Sequence, residues 1–247
     1  MAQNYYGSLC TKMYEILHET APQDELKFYL SYAKKDDRIL EPFCGSGRFL
    51  IPFLERGLDI CGIDLSEEML AELRRKAPGA KVMQADAAAF EPEGQFDYIF
   101  ISSGSISLLT DRELCGRVLS KMRAALRRGG KFVFAAETMA DRCEDSEDYQ
   151  LTASVETAAG ETLVLKTKYT YDAVSQTQFL PGIYELYRDG ELLQTEHMDF
   201  QTHLYRLGEM EEMLETAGFS GIQVYESFDK KPAVSDLSEM FLYECTC

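Results

Sequence analysis

Between residues 38 and 136 short apolar runs alternate with amphipathic stretches, and this alternation confines the chain to very few architectures. The runs occupy 38–41, 59–64, 80–84, 96–101 and 131–136. Such a pattern predicts repeated βαβ units around a parallel sheet. Helix signals fall between the runs. Ser66, followed by Glu67 and Glu68, caps a helix and puts negative charge on its first turn, where the dipole is positive. Thr110-Asp111-Arg112-Glu113 is a capping-box pattern. The helix it opens carries Leu114, Val118, Met122, Ala125 and Leu126 on one face, and Arg127-Arg128-Gly129-Gly130 closes it with cations and a glycine stop.

After Ala136 the character changes. Residues 151–201 are rich in Thr, Val, Tyr and Leu, with strand-like alternation and hairpin signals at Ala159-Gly160 and Asp189-Gly190. They predict a small antiparallel sheet inserted into the main fold. Helical spacing returns with Met210, Met213, Leu214 and Ala217, ends at Gly218, and precedes strand-like runs at 221–228 and 240–245. Ahead of the first strand, 6–17 and 24–32 read as two helices broken at Ala21-Pro22. The organisation expected is an N-terminal helical lid at 1–37, a core at 38–148, the inserted sheet at 149–204 and a completing helix and strands at 205–247.

Charge narrows the function. Of the formal net charge of -17, residues 1–136 contribute almost nothing, with 18 Lys and Arg against 19 Asp and Glu, whereas 137–247 hold 7 against 23. An acidic half repels phosphate backbones and anionic lipid, so neither nucleic acid nor membrane is expected as a partner. The apolar stretches fall well short of the roughly 20 residues needed to span a bilayer, and residues 1–10 lack a signal peptide's basic and apolar regions. Seven cysteines without a framework suit a reducing compartment, so the expected location is cytoplasmic. Cys245-Thr246-Cys247 has no second pair at ligand spacing, and no metal site is expected.

The stretch richest in chemistry is Ile39-Leu40-Glu41-Pro42-Phe43-Cys44-Gly45-Ser46-Gly47-Arg48-Phe49-Leu50-Ile51-Pro52. A strand runs into a tight Gly-x-Gly turn and then a helix, so backbone approaches a ligand closely and helix N–H groups receive an anionic group. Asp64 ends the second strand 17 residues after Gly47, where a carboxylate accepts hydrogen bonds from both ribose hydroxyls. Asp86 follows the third strand, within reach of an adenine amino group. Any one of these acids also reads as an ordinary strand-end or cap residue; three in register at successive strand ends point to a nucleoside.

In these residues the chain resembles class I S-adenosylmethionine-dependent methyltransferases, over about 38–136 plus the terminal helix and strands. Glu41, Gly45 and Gly47 match the first motif, with Phe43 at the first glycine position. Cys61-Gly62-Ile63-Asp64-Leu65-Ser66-Glu67-Glu68-Met69-Leu70 matches the second, and Ala85-Asp86-Ala87 the third. Phe96-Asp97-Tyr98-Ile99-Phe100-Ile101-Ser102-Ser103 resembles the strand that ends beneath the transferable methyl group. The resemblance implies an α/β fold: a Rossmann-like, seven-stranded, mostly parallel sheet with helices on both faces, plus the inserted antiparallel sheet. It implies S-adenosylmethionine as cofactor and S-adenosylhomocysteine as product. The residues it places around them are Tyr14, Glu41, Phe43, Cys44, Gly45, Gly47, Phe49, Asp64, Leu65, Met69, Asp86, Ala87 and Ser102. Met69 reads equally well as a core-facing helix residue, and Tyr14, with Tyr5 and Tyr6, as lid or as helix packing.

A nicotinamide dehydrogenase begins with the same elements but needs a third glycine where this chain has Leu50. DNA amino-methyltransferases share a Pro-Phe-x-Gly-Ser-Gly string, but the proline and aromatic platform for a flipped base is replaced here by Ser102-Ser103-Gly104-Ser105. The expected activity is methyl transfer by in-line displacement to nitrogen or oxygen of a small molecule, in a monomer or homodimer. A non-catalytic S-adenosylmethionine-binding sensor is the alternative. Among the three histidines, His203 is the candidate base, with surface packing as its other reading.

Overall fold

The structure, a computed structural model, describes residues 4–247. Two helices come first, α1 (Ser8–Leu17) and α2 (Gln23–Leu30). The alternating region follows as β1 (Arg38–Pro42), α3 (Leu50–Glu55), β2 (Asp59–Asp64), α4 (Glu67–Lys76), β3 (Lys81–Gln84), β4 (Phe96–Ile101), α5 (Arg112–Ala125) and β5 (Leu126–Ala136). The caps sit where their chemistry demands. Ser66 Oγ accepts the Met69 N–H at 3.1 Å, and Asp111 Oδ1 accepts that of Leu114 at 2.8 Å. The pattern at 110–113 is therefore a single Asp cap, since Leu114 has no polar group to reach back. Arg127 to Gly130 do not close the helix either: α5 ends at Ala125, and Leu126 already pairs with Phe96 of β4 before a register shift brings Lys131 opposite Tyr98.

The main sheet runs β13-β14-β5-β4-β1-β2-β3, with β13 (Ser220–Tyr225) and β14 (Phe241–Thr246) closing one edge. β1 to β5 are parallel, while β14 is antiparallel to both of its neighbours. Helices cover both faces. On one, Val118, Leu119 and Met122 of α5 and Met210 and Leu214 of α6 (Glu209–Ala217) pack on Ile99, Phe132 and Tyr243. On the other, Leu26 and Tyr29 of α2, Phe53 of α3 and Leu70 of α4 pack on Ile39, Phe100 and Val133. This is the seven-stranded Rossmann-like architecture expected from the motifs. Strand order reverses between β1 and β4, the place where parallel α/β sheets open a crevice at their carboxyl ends.

The insertion forms two sheets rather than one. β6 (Gln150–Glu156), β7 (Thr162–Thr167), β10 (Gly182–Arg188) and β11 (Glu191–Met198) make the larger, in the order β11-β10-β7-β6. β8 (Thr170–Asp172), β9 (Thr177–Phe179) and β12 (Gln201–His203) make the smaller. Both anticipated hairpin turns are present, joining β6 to β7 and β10 to β11. The amino-terminal pair divides its packing: α2 belongs to the main core, whereas Leu9, Cys10 and Met13 of α1 pack on Leu163, Tyr184, Leu186 and Met198 of the larger inserted sheet. Among the described residues no helix is long and apolar enough to cross a membrane, and no cluster of metal-ligating side chains occurs.

Candidate functional site

The turn after β1 builds the floor of the crevice. The Cys44 N–H donates to Ile63 O at 3.1 Å and the Gly45 N–H to Asp64 Oδ2 at 2.8 Å, so the first two strand ends are bound to each other. Gly47 has φ +86, and a Cβ there would meet Leu73 Cγ at 2.8 Å; only glycine fits. Phe43, at the family's first glycine position, takes φ 57, the left-handed conformation natural to glycine. The turn keeps its shape despite the departure, at a backbone cost of about 1–2 kcal/mol.

Carboxylates line this edge. Glu41, only 1% exposed, accepts the Ser102 hydroxyl on Oε1 at 2.8 Å, while its Oε2 has no partner, and burial raises its pKa well above the carboxylate range. Asp64 Oδ1 accepts the Ser66 N–H at 2.8 Å, and burial raises its pKa against the backbone donors of Ser66, Gly45 and Leu65, which leave part of its acceptor capacity free. Ser46 Oγ, in the turn itself, is also buried without a partner. A ligand bringing an ammonium and a vicinal diol suits these orphaned acceptors, which is the chemistry of S-adenosylmethionine. Asp86 stands apart: it is exposed and its Oδ1 caps its own turn through the Ala88 N–H at 2.8 Å.

The other expected residues divide. Gln84 Nε2 donates to Leu65 O at 3.0 Å, placing half-exposed Leu65 beside the end of β3, and Met69 is buried with its sulfur toward Gly45. Cys44 and Ala87 are buried, Cys44 beneath the turn against Gly62 and Ala87 in the core beside Phe90. Phe49 is not brought to the crevice, because its ring is enclosed in the core edge-on to Tyr29. Tyr14 stands in the α1 wall, 6.2 Å from the Tyr6 ring and within electrostatic reach of Glu41 and Arg48. The segment ahead of α1 lies across the β2 to α4 loop, since Ser66 Oγ donates to Tyr6 O at 2.7 Å and the Tyr5 hydroxyl donates to Glu68 at 2.5 Å.

His203 is turned elsewhere. Its Nε2 lies 2.8 Å from Glu209 Oε1 at the start of α6, and its ring packs on Tyr205. Alternation along β12 sends Thr202 the other way, where its buried hydroxyl stabilises the Glu137 carboxylate. Sequence reasoning passed over Glu137. It directly follows β5, its Cγ lies 3.5 Å from where a Cβ on Gly104 would be, and its charge is felt at Tyr6. Burial pushes its pKa up to about 7, the repulsion of Asp141 adding to that and Thr202 opposing it. The signal was the one already used for the other strands, an acid at a carboxyl end. Glu25 of α2 was also missed; its Oε1 accepts the Ser103 N–H at 2.8 Å just after β4.

A cavity of about 290 Å³ opens between α1 and the larger inserted sheet, walled by Tyr6, Tyr14, His18, Tyr169, Tyr184 and Phe200. Two of its wall residues reach toward the carboxylate edge: Tyr6, whose carbonyl accepts the Ser66 hydroxyl, is within electrostatic reach of Asp64 and Glu137, and Tyr14 of Glu41. A groove of about 340 Å³ lies by Arg38, Asp59 and Lys81, at the amino-terminal ends of β1 to β3 and thus at the wrong edge of the sheet for this chemistry.

Residues 39–130 match the model of a family described as a methyltransferase domain, bearing out the motif resemblance. Over 102 residues the chain is 33% identical to a putative methyltransferase, YqeM, of Bacillus subtilis, covering 39% of this chain and 41% of that protein. Over 107 residues it is 30% identical to a dTDP-3-amino-3,4,6-trideoxy-alpha-D-glucopyranose N,N-dimethyltransferase of Streptomyces venezuelae, covering 42% and 45%. The chain thus matches less than half the length of these two relatives. In fold it is similar to an S-adenosylmethionine-dependent methyltransferase from Clostridium acetobutylicum, with a TM-score of 0.77 at 16% identity over 95% of this chain and 96% of that one.

Proposed function

We propose, from the methyltransferase-domain match of residues 39–130, that this chain is an S-adenosylmethionine-dependent methyltransferase acting on nitrogen or oxygen of a small molecule. The observation that carries the reading is the set of incompletely satisfied acceptors at one sheet edge: Glu41 Oε2, Ser46 Oγ and the spare lone pairs of Asp64. In this reading Asp64 takes the ribose hydroxyls, and Glu41 with the 43–47 turn takes the amino acid end. Leu65 and Met69 border the base, and Ser102 holds Glu41 in place.

S-adenosylmethionine, held by these residues, would supply an electrophilic methyl carbon to the acceptor's lone pair. The chain's own residues contribute position and dryness. Tyr5 and Tyr6 close over the β2 to α4 loop and keep water from the reacting atoms. Glu137 stands where an acceptor's proton is given up.

Calorimetric titration with S-adenosylmethionine, S-adenosylhomocysteine and NAD tests the cofactor assignment. The two sulfur ligands are expected to bind and NAD to give no heat; tight binding of NAD alone would reverse it.

A further inference from the structure

Resting on the methyltransferase reading, the chemistry of the cavity beside α1 narrows the acceptor. Aromatic rings, aliphatic and sulfur side chains and a few hydroxyls make its wall, and no Lys, Arg, Asp or Glu side chain lines it among the described residues. Arg48, which adjoins Tyr14 and His18, gives its Nε–H to the Thr20 carbonyl at 3.0 Å. Such a wall favours an uncharged, apolar body, and at about 290 Å³ a compact one. It has no cationic clamp for a diphosphate, the group carried by the dTDP-linked sugar for which the Streptomyces venezuelae relative is named.

The inner end of the site has the opposite character. Glu25, Glu41, Asp64 and Glu137 gather around the strand ends. Acidic groups under a low-dielectric roof draw cations and repel carboxylates and phosphates. Thr202, 1% exposed, stands beside Glu137 and lowers its pKa, and its hydroxyl oxygen offers a second polar contact to an N–H group.

We propose that the acceptor is a compact primary or secondary amine on an apolar or aromatic body, free of phosphate and carboxylate, with its body in this cavity and its nitrogen at Glu137. It arrives as an ammonium. One N–H bond breaks, its electron pair stays on nitrogen as the lone pair that attacks, and the proton passes to the Glu137 carboxylate and from there to water. Burial raises Glu137 to about 7, so the carboxyl gains and loses this proton near neutrality. The Tyr6 and Tyr14 rings line this cavity, and aromatic rings suit an ammonium on its way in.

The test is calorimetry on the full chain saturated with S-adenosylhomocysteine. The probes are benzylamine, 2-phenylethylamine and tryptamine, with phenylalanine, 2-phenylethanol and the dTDP-linked amino sugar as counterparts. At least one amine is expected to bind tenfold or more tightly than every counterpart. Glu137→Gln is expected to weaken that amine at least tenfold with S-adenosylhomocysteine affinity within twofold of wild type. Thr152→Phe, at an exposed position on the cavity rim, is expected to weaken it similarly without endangering the fold. The proposal is overturned if no amine binds, if the nucleotide-linked sugar binds more tightly, or if both variants hold the amine as well as wild type. Failure of S-adenosylhomocysteine itself to bind would instead sink the cofactor reading beneath it.

Discussion

Glu244 and Glu137 lie along neighbouring strands of one sheet, both are partly sheltered from water, and they differ in nearly everything else. Glu244 on β14 is ringed by donors: Lys131, Lys230 at 3.2 Å and the hydroxyls of Tyr32 and Tyr225 at 2.8 and 3.3 Å. Burial alone would raise its pKa, yet hydrogen bonds from Lys131, Tyr32 and Lys230 prevail and hold it at about 2. Glu137, one residue past β5, has no cation against it, and burial takes it to about 7. The contrast shows how to separate structural from functional acids in a fold of this kind. A structural carboxylate finds cationic partners within the chain, whereas Glu137 is raised by burial and Glu41 keeps a buried oxygen, Oε2, without a partner.

The largest effect expected from this contrast belongs to Asp64. If its spare lone pairs receive two ribose hydroxyls, Asp64→Ala removes two hydrogen bonds to a charged group, about 4 kcal/mol or roughly a thousandfold in S-adenosylhomocysteine affinity. Circular dichroism should show the helices and sheet intact. Calorimetry giving an unchanged affinity would mean that the ribose lies elsewhere.

Glu137 gives the next largest effect, and its sign is fixed by its neighbours. Burial and the repulsion of Asp141 raise it, and a hydrogen bond from the neutral Thr202 hydroxyl opposes them. Between the ordinary carboxyl value near 4.5 and about 7 the folded state binds more protons than the unfolded one, so stability falls as pH rises through that window. Urea unfolding of Glu137→Gln should lack this fall, leaving the variant more stable than wild type at pH 8 by up to roughly 3 kcal/mol and little different at pH 4. Parallel profiles for the two proteins would show that Glu137 is already satisfied.

Glu244 should behave in reverse. With its folded pKa held at about 2, its contribution is complete above the ordinary carboxyl value and is lost as pH falls from about 4.5 to 2. Glu244→Gln is expected to lower stability at pH 7 by about 1–2 kcal/mol, modest because Lys131 and Lys230 remain partly in water. Its acid unfolding should be shallower than wild type. An unaltered acid limb would remove Glu244 from the structural class.

How much of this was legible beforehand depended on whether a signal is local. β2 and β4 were readable to the residue, because each is an apolar run bounded by polar chain. The turns at Ala159-Gly160 and Asp189-Gly190 were readable for the same reason, but the division of the insertion into two sheets depends on which distant strands pair. The start of β5 was hidden by Arg127-Arg128-Gly129-Gly130, which imitates a helix stop while Leu126 already pairs with Phe96. At the carboxyl edge of the sheet, Glu41 and Asp64 were legible as strand-end acids from their spacing to the glycine turn. His203 and Thr202 were not separable by any local rule, since on a three-residue strand only the tertiary register decides which of them faces Glu137. Phe49 was misjudged because the direction in which the turn enters α3 puts its ring inward. Glu137 was readable in principle; attention to histidine as the neutral-pH base concealed that burial brings a glutamate to the same range.

The smallest prediction concerns the turn that holds the unsatisfied acids in place. Phe43 sits at φ 57 with its ring half-buried against the core, so replacing it changes backbone strain and packing together. Comparing Phe43→Ala with Phe43→Gly separates the two, because both lose the ring and only glycine is at ease in the left-handed region. Phe43→Gly should be the more stable by about 1 kcal/mol in urea unfolding, slightly offset by its greater freedom when unfolded, and should retain S-adenosylhomocysteine affinity within about threefold of wild type. If alanine proves as stable as glycine, the turn has relaxed to a different backbone shape. The Gly45 N–H to Asp64 bond would then have to shift with it, and the distinction between ligand-ready and self-satisfied carboxylates would lose its geometric basis at this edge.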